Sequence, residues 1–220
     1  MKEFPIKDIK HSPLFQGVKE EELTAMLGCL DGHIREYKKD TAIFRWGDKV
    51  SQIGLILKGN VHITKESYWG KESLLVRLGP GELFGEVYAC VQNASFDGTA
   101  TAASDVKIMF LDLKKVLTTC SSACRFHTKL IQNLLGVLAE KNLYFSRKID
   151  CLTPHTIRAK LMEYFSQQVR VGGSRKFMVP FTRQQLADYL SVDRSSMTVE
   201  LYKMKDERMI DFEKNLFTIL

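Results

Sequence analysis

The sequence predicts an α+β chain in three successive parts: a β-roll of jelly-roll type, a long helix, and a winged helix-turn-helix. Three observations predict it. Between about Gly32 and Leu113, short runs rich in Ile, Val, Leu, Phe and Thr are punctuated by glycines from Gly47 to Gly98, the pattern of regular short strands joined by turns. From about Ser121 to Ile149 glycine nearly vanishes and apolar residues recur at spacings of three and four, which is a helical period. From Phe181 to Ile210 two short amphipathic stretches flank a three-residue break.

Composition bounds the rest. A chain of 220 residues with 45% hydrophobic and 26% charged residues can bury real cores, in one large domain or two small ones. Net charge is +6 and the pI about 9.0, which permits nucleic-acid binding without demanding it. Residues 150–220 hold eleven Lys/Arg against nine Asp/Glu, so any basic footprint there must come from local arrangement. No apolar run approaches the ~18–20 residues of a membrane span. The stretch Met1–Asp8 lacks the apolar core of a signal peptide, and a cytoplasmic location is expected. The five cysteines, Cys29, Cys90, Cys120, Cys124 and Cys151, form no Cys-x-x-Cys and are expected as free thiols. No nucleophile–base pair, phosphate loop or metal cluster can be assembled, so no enzyme is expected.

Residues 1–12 are polar and are expected to extend loosely. Ser12 to Leu30 reads as helical, with Leu14, Phe15, Val18, Leu23, Met26, Leu27 and Leu30 apolar and Glu20–Glu22 at the positive end of the dipole. Expected strands include Thr41–Phe44, Ile53–Leu57, Val61–Thr64, Ser73–Leu78 and Val106–Leu111, with Lys58-Gly59-Asn60 as a hairpin turn. In the long helix, Phe126, Leu130, Leu134, Val137 and Leu138 form a stripe that continues through Leu143, Tyr144, Phe145 and Ile149. Such a face either packs on the chain's own roll or zips two chains together. Its length and its spacing of three and four favour a homodimer seam. Thr153-Pro154 reads as a helix restart, giving expected parts of 1–120, 121–150 and 151–220. A helix from Pro154 to about Gln168 buries Ile157, Leu161, Tyr164 and Phe165, and Val171–Arg175 is expected as a turn between two short strands.

In the last part, Thr182 caps a helix with Gln185 three residues on, as a capping box requires. Leu186, Ala187 and Leu190 give it one apolar face. Ser191-Val192-Asp193 breaks the pattern, and Asp193 caps a second helix that buries Met197, Leu201 and Met204. Arg194, Ser195, Ser196, Val199 and Lys203 are left outward, suited to base edges in a DNA major groove. Thr182, Arg183 and Gln184, at the first helix's N-terminus, are candidate phosphate contacts. Asp211–Glu213 and Leu216–Ile219 about Lys214-Asn215 form the hairpin wing.

From about Leu14 on, the chain resembles the Crp/Fnr family of bacterial transcriptional regulators, those like the cyclic-AMP receptor protein. Three motifs carry the resemblance: Pro80-Gly81-Glu82-Leu83-Phe84-Gly85-Glu86, Leu55-Ile56-Leu57-Lys58-Gly59, and Thr182–Leu190 followed by Val192-Asp193-Arg194-Ser195. The resemblance implies a roll of cyclic-nucleotide-binding type and a homodimer about the long helix on a near-palindromic site in double-stranded DNA. It also implies RNA polymerase as a partner if the protein activates, no membrane, and a small effector held between roll and long helix. Effector contacts would involve Gly85, Glu86, Phe96, Asp97, Leu143 and Tyr144.

Departures from the family pattern matter. The Arg-Ser pair that holds a cyclic phosphate is replaced by Phe96-Asp97. Losing one charge-assisted hydrogen bond costs about 1.5–3 kcal/mol before repulsion from Asp97. An unidentified small-molecule effector other than cAMP or cGMP is therefore expected. With only Cys29 in the N-terminal region, no iron–sulfur cluster and no metal are expected. A ligand-binding regulatory module of cyclic-nucleotide type, or a thiol- or haem-responsive regulator, stands as the alternative.

Overall fold

The computed structural model describes residues 4–66, 68–70, 72–91, 94–117 and 125–220. The chain divides into two compact units, Met1–Leu138 and Ala139–Leu220.

The first unit opens with α1 (Ile6–Ile9), a 3-10 turn at Pro13–Phe15 and α2 (Glu20–Cys29). Eight strands follow: β1 (His33–Tyr37), β2 (Ala42–Phe44), β3 (Gln52–Lys58), β4 (Val61–Glu66), β5 (Glu72–Leu78), β6 (Leu83–Phe84), β7 (Thr99–Ala102) and β8 (Val106–Asp112). Two short helices, α3 (Glu86–Cys90) and α4 (Leu113–Leu117), precede the long α5 (Arg125–Leu152). The strands make two antiparallel sheets of four, ordered β1-β8-β3-β6 and β2-β7-β4-β5. The expected strand runs all lie within β2, β3, β4, β5 and β8, apart from Thr41, which precedes β2. The N-terminal segment is less loose than its polarity implies, because Phe4, Ile6 and Ile9 pack into the core.

β3 and β8 read as unbroken apolar runs because their sheet is covered on both faces. Ile53, Leu55, Leu57, Met109 and Leu111 meet Leu14, Leu23, Leu27, Leu130 and Leu134 on one side. Ile56, Ile108 and Phe110 point the other way, into the space between the sheets with Val61, Phe84 and Phe96. Alternate residues of a strand project to opposite faces.

Lys58-Gly59-Asn60 is not a hairpin turn. β3 pairs with β6 and β8, whereas β4 pairs with β5 and β7, so these residues turn a corner between sheets. Gly59 has φ +81°, and a Cβ there would lie 2.4 Å from the Asp105 carbonyl oxygen. Only glycine fits both demands.

The single stripe expected along α5 resolves into two faces. Leu130, Leu134 and Val137 are buried within the first unit, and Asn133 Nδ2 donates to the Leu14 and Gln16 carbonyls at 2.9 Å each. Leu135, 61% exposed, Phe145 and Ile149, 62% exposed, lie along another face. The side chain of Phe126 lies outside the described residues, as do Cys120 and Cys124.

The second unit continues with α6 (Ile157–Gly172), β9 (Lys176–Met178), α7 (Arg183–Leu190), α8 (Arg194–Asp206), β10 (Ile210–Glu213) and β11 (Leu216–Ile219). The helix restarts at Ile157, three residues later than expected. Thr156 is its cap, accepting from the Ala159 amide at 3.1 Å, so neither Thr153 nor Pro154 plays that part. α6 runs on to Gly172 and ends at Gly173 in the left-handed conformation, a common helix stop. The expected strand–turn–strand there is a helix–turn–strand. Strands β10-β11-β9 form a small antiparallel sheet, and its core joins Leu161, Phe165, Leu186, Leu190, Met197, Leu201 and Phe217.

Candidate nucleic-acid interface

The turn between α7 and α8 is built as its sequence dictates. The Thr182 amide donates to Gln185 Oε1 at 2.9 Å, and the Gln185 amide donates back to Thr182 Oγ1 at 3.3 Å. This is a complete capping box. Leu186, Ala187 and Leu190 are buried, as are Met197, Leu201 and Met204. Ser191 ends α7 with φ +51°, and Val192 packs into the same core. Asp193 Oδ1 accepts from the Ser196 amide at 2.7 Å and from Ser196 Oγ at 2.8 Å. These bonds hold the Asp193 carboxyl below the usual carboxylate range. One guanidinium ties α6 to α8: Arg158 pairs with Glu200 through Nε and with both oxygens of Glu207, at 2.7 and 2.8 Å.

With those residues occupied, the outward face of α8 presents Arg194, Ser195, Val199 and Lys203, all exposed. Arg194 enters no ion pair among the described residues. Lys205 is tied to Asp211 at 2.7 Å, which leaves Lys203 as the helix's uncommitted lysine. Ser196, also expected as a DNA reader, is exposed and gives its hydroxyl proton to the Asp193 cap. Thr182 and Gln184 are exposed at the start of α7, Gln184 donating to Asp188 at 2.8 Å. Arg183 is half-buried and turned toward the wing.

Two residues on this side were not singled out from the sequence. Tyr202 is one helical turn from Val199 and exposed, with its ring edge-on to Phe212. Its spacing from Ser195 and Val199 was the available signal. Lys214 sits at the wing tip with φ +50°, and a lysine in a turn carries little signal of its own.

The residues expected around an effector divide between the units. Gly85 has φ +80° and caps the start of α3, with its Cβ position 3.1 Å from the Phe44 ring. Glu86 follows, only 2% exposed. Phe96 is 1% exposed and packs against Tyr88 at 4.7 Å and Phe44 at 5.4 Å between ring centroids. Aromatic side chains thus fill the interior beside it. Asp97 forms a half-exposed ion pair with Lys65. Leu143 and Tyr144 belong to the second unit and are exposed, and Tyr144 lies edge-on to Tyr189 at 6.3 Å. Among the described residues no group of three or more His, Cys, Asp or Glu is gathered as a metal site, and no helix is long and apolar enough to cross a membrane.

Comparison with known proteins agrees with this architecture. Residues 34–123 match the cyclic nucleotide-binding domain and residues 159–220 the Crp-like helix-turn-helix domain. The chain is 25% identical over 202 residues to the cyclic AMP receptor protein of Thermus thermophilus, covering 92% of this chain and 89% of that one. It is 20% identical over 189 residues to a CRP-like cAMP-activated global transcriptional regulator of Mycobacterium tuberculosis, covering 86% and 83%. Among solved structures, the catabolite activator protein of Thermus thermophilus superposes with a TM-score of 0.56 at 24% identity, covering 95% and 94% of the two chains. CprK in complex with OCPA superposes with a TM-score of 0.66 at 17% identity, covering 90% and 89%. Both share the fold.

Proposed function

The chain belongs to the Crp/Fnr family of transcriptional regulators, DNA-binding proteins rather than enzymes, and on that premise we propose that it is a cytoplasmic homodimer that reads a near-palindromic operator under the control of a small effector. The observation that carries the reading is the outward face of α8, where Arg194, Ser195, Val199 and Lys203 are exposed while their neighbours are spent on caps and packing. Arg194 supplies a bidentate donor pair for guanine, and Val199 an apolar contact for a thymine methyl. Lys203, Thr182, Gln184 and Lys214 supply backbone contacts. RNA polymerase is a partner if the protein activates.

The dimer is supported by α5. Thr128, Ile131, Leu135, Leu138, Asn142, Phe145, Ile149 and Leu152 follow one another at alternating spacings of three and four, the repeat of a two-stranded coiled coil. This row keeps Leu138, Phe145 and Ile149 of the stripe expected at the outset but not Leu130, Leu134 and Val137, which are buried within their own unit, and Leu138 itself packs partly on that unit's core. The side chains between the sheets favour an effector other than a cyclic nucleotide. Phe96 is committed to the core, and Asp97 would meet a phosphate with like charge.

The test is Arg194→Ala in a gel-shift series across related duplexes and salt concentrations. The variant is expected to lose sequence preference and to keep salt-dependent non-specific binding. An equal loss on every sequence would remove Arg194 as a reader.

A further inference from the structure

Arg183 opens α7 one residue after the cap, where an exposed cation would meet a phosphate. Its guanidinium is instead folded beneath the wing. Cζ lies 5.2 Å from the Phe212 ring centroid and 4.9 Å from that of Phe217. These two rings are cross-strand partners of β10 and β11, stacked 5.2 Å apart. Nη2 donates to the Lys214 carbonyl at 2.7 Å, and Nη1 is buried.

The acceptor is an unusual residue. Lys214 is the first of the two turn residues between β10 and β11, and its φ of +50° is one that short hairpin turns normally give to glycine. Two bonds from outside the hairpin fix this turn: Arg183 on the Lys214 carbonyl, and the Val179 amide on the Asn215 carbonyl at 2.8 Å. A guanidinium can lie flat on aromatic rings while donating from its edge, and an ammonium cannot do both. To reach a phosphate, Arg183 would have to leave both rings and the carbonyl.

We propose that Arg183 is a positioning residue that holds the wing tip, and with it Lys214, against DNA, and that it makes no phosphate contact itself. The proposal rests on the DNA-binding reading above and replaces the expectation that Arg183 is a phosphate ligand. Lys214 becomes the phosphate contact at this edge of the interface.

The test is a double-mutant cycle read as salt dependence. The full chain is titrated onto a duplex that it selects from a randomised pool, as wild type, Arg183→Met, Arg183→Lys, Lys214→Ala and Arg183→Met/Lys214→Ala. Each lost phosphate contact lowers the slope of log affinity against log salt by about 0.9. Lys214→Ala and Arg183→Met are each expected to lower it by that amount, and the double variant by no more than either. Arg183→Lys is expected to behave as Arg183→Met, because charge alone does not hold the turn. A double variant whose slope falls by about 1.8, with Arg183→Lys near wild type, means direct ionic contact and overturns the proposal. So does wild-type binding by Arg183→Met, or an unchanged slope in Lys214→Ala. Thermal unfolding accompanies each variant, and Arg183→Lys carries the cycle if Arg183→Met does not fold. An unmutated chain that binds no duplex at any salt would sink the DNA-binding reading itself, and this proposal with it.

Discussion

Asp193 shows how much one side chain settles locally. Its carboxylate accepts from the Ser196 amide and hydroxyl, so it fixes where α8 begins and takes up the hydroxyl proton of Ser196. Those bonds favour the ionised form and place its folded pKa below the unfolded value of about 3.9. A depressed carboxyl contributes stability above the unfolded pKa and loses it as pH falls through the folded one. Asp193→Ala is therefore expected to be less stable than wild type at neutral pH, with the difference shrinking below about pH 4. Urea unfolding at several pH values checks it, and a pH-independent difference would remove the ionised cap from the account. Arg208 is a second residue with a local signature. Its φ is +58°, a region that disfavours any residue with a Cβ by about 1–2 kcal/mol. Arg208→Gly is expected to raise the stability of the second unit by up to about 1 kcal/mol, read by urea unfolding, since glycine's freedom in the unfolded chain offsets part of the relief. At this scale a role is legible in the sequence where it is local, as with Thr182, Gln185 and Asp193. It is not legible where the partner lies far along the chain: Glu200 and Glu207 are taken up by Arg158, and Arg183 by a wing about thirty residues on.

Among the elements, α5 divides its apolar residues between two faces that one periodic stripe could not separate. Both faces repeat at three and four, and only packing tells which is already covered. Leu134, buried in its own unit, is expected to cost about 2–5 kcal/mol of folding stability on change to alanine. Leu135 lies on the exposed face, so Leu135→Glu is expected to leave folding stability nearly unchanged and, on the proposed seam, to shift the protein from dimer to monomer. Analytical ultracentrifugation beside urea unfolding separates the two outcomes. If Leu135→Glu stays dimeric, the seam lies elsewhere. Asn142 is the one strongly polar residue among Ile131, Leu135, Leu138, Phe145 and Ile149. A single buried Asn in a coiled coil sets register and stoichiometry at the expense of stability. Asn142 is exposed in the single chain and would be covered only at the proposed seam, where Asn142→Leu is expected to tighten the dimer and to admit higher oligomers, visible in the same sedimentation runs. The strands show the same division between local and distant cause. Their positions follow from apolar runs between glycines, but the sheet crossing at Lys58-Gly59-Asn60 is not legible, because a glycine turn looks alike whether the next strand pairs back or crosses to another sheet.

At the scale of the whole molecule, the order roll, long helix, winged helix-turn-helix was legible because each part has its own period and punctuation. The effector was not legible in the same way, because a ligand is recognised by a few side chains whose substitution leaves the fold intact. On the proposed reading, Phe96-Asp97 is such a substitution. Phe96 stacks into the interior with Phe44 and Tyr88, and Asp97 is answered by Lys65, so the roll supplies its own partners where a cyclic phosphate would need donors. A ligand that binds only the folded state stabilises it by about 2.7 kcal/mol at one hundred times its Kd. Millimolar cAMP or cGMP is therefore expected to leave the thermal unfolding of the chain unchanged. Restoring the donors by Phe96→Arg with Asp97→Ser is not expected to create binding. Loss of the buried ring alone costs about 3–5 kcal/mol when it is truncated, and a charge placed against Phe44 and Tyr88 adds a desolvation penalty. The double variant should unfold at lower temperature with or without nucleotide. A nucleotide-dependent rise in Tm for the wild-type chain would instead mean that the roll opens around Phe96 to admit the ligand, and would return the protein to the nucleotide-responsive branch of its family.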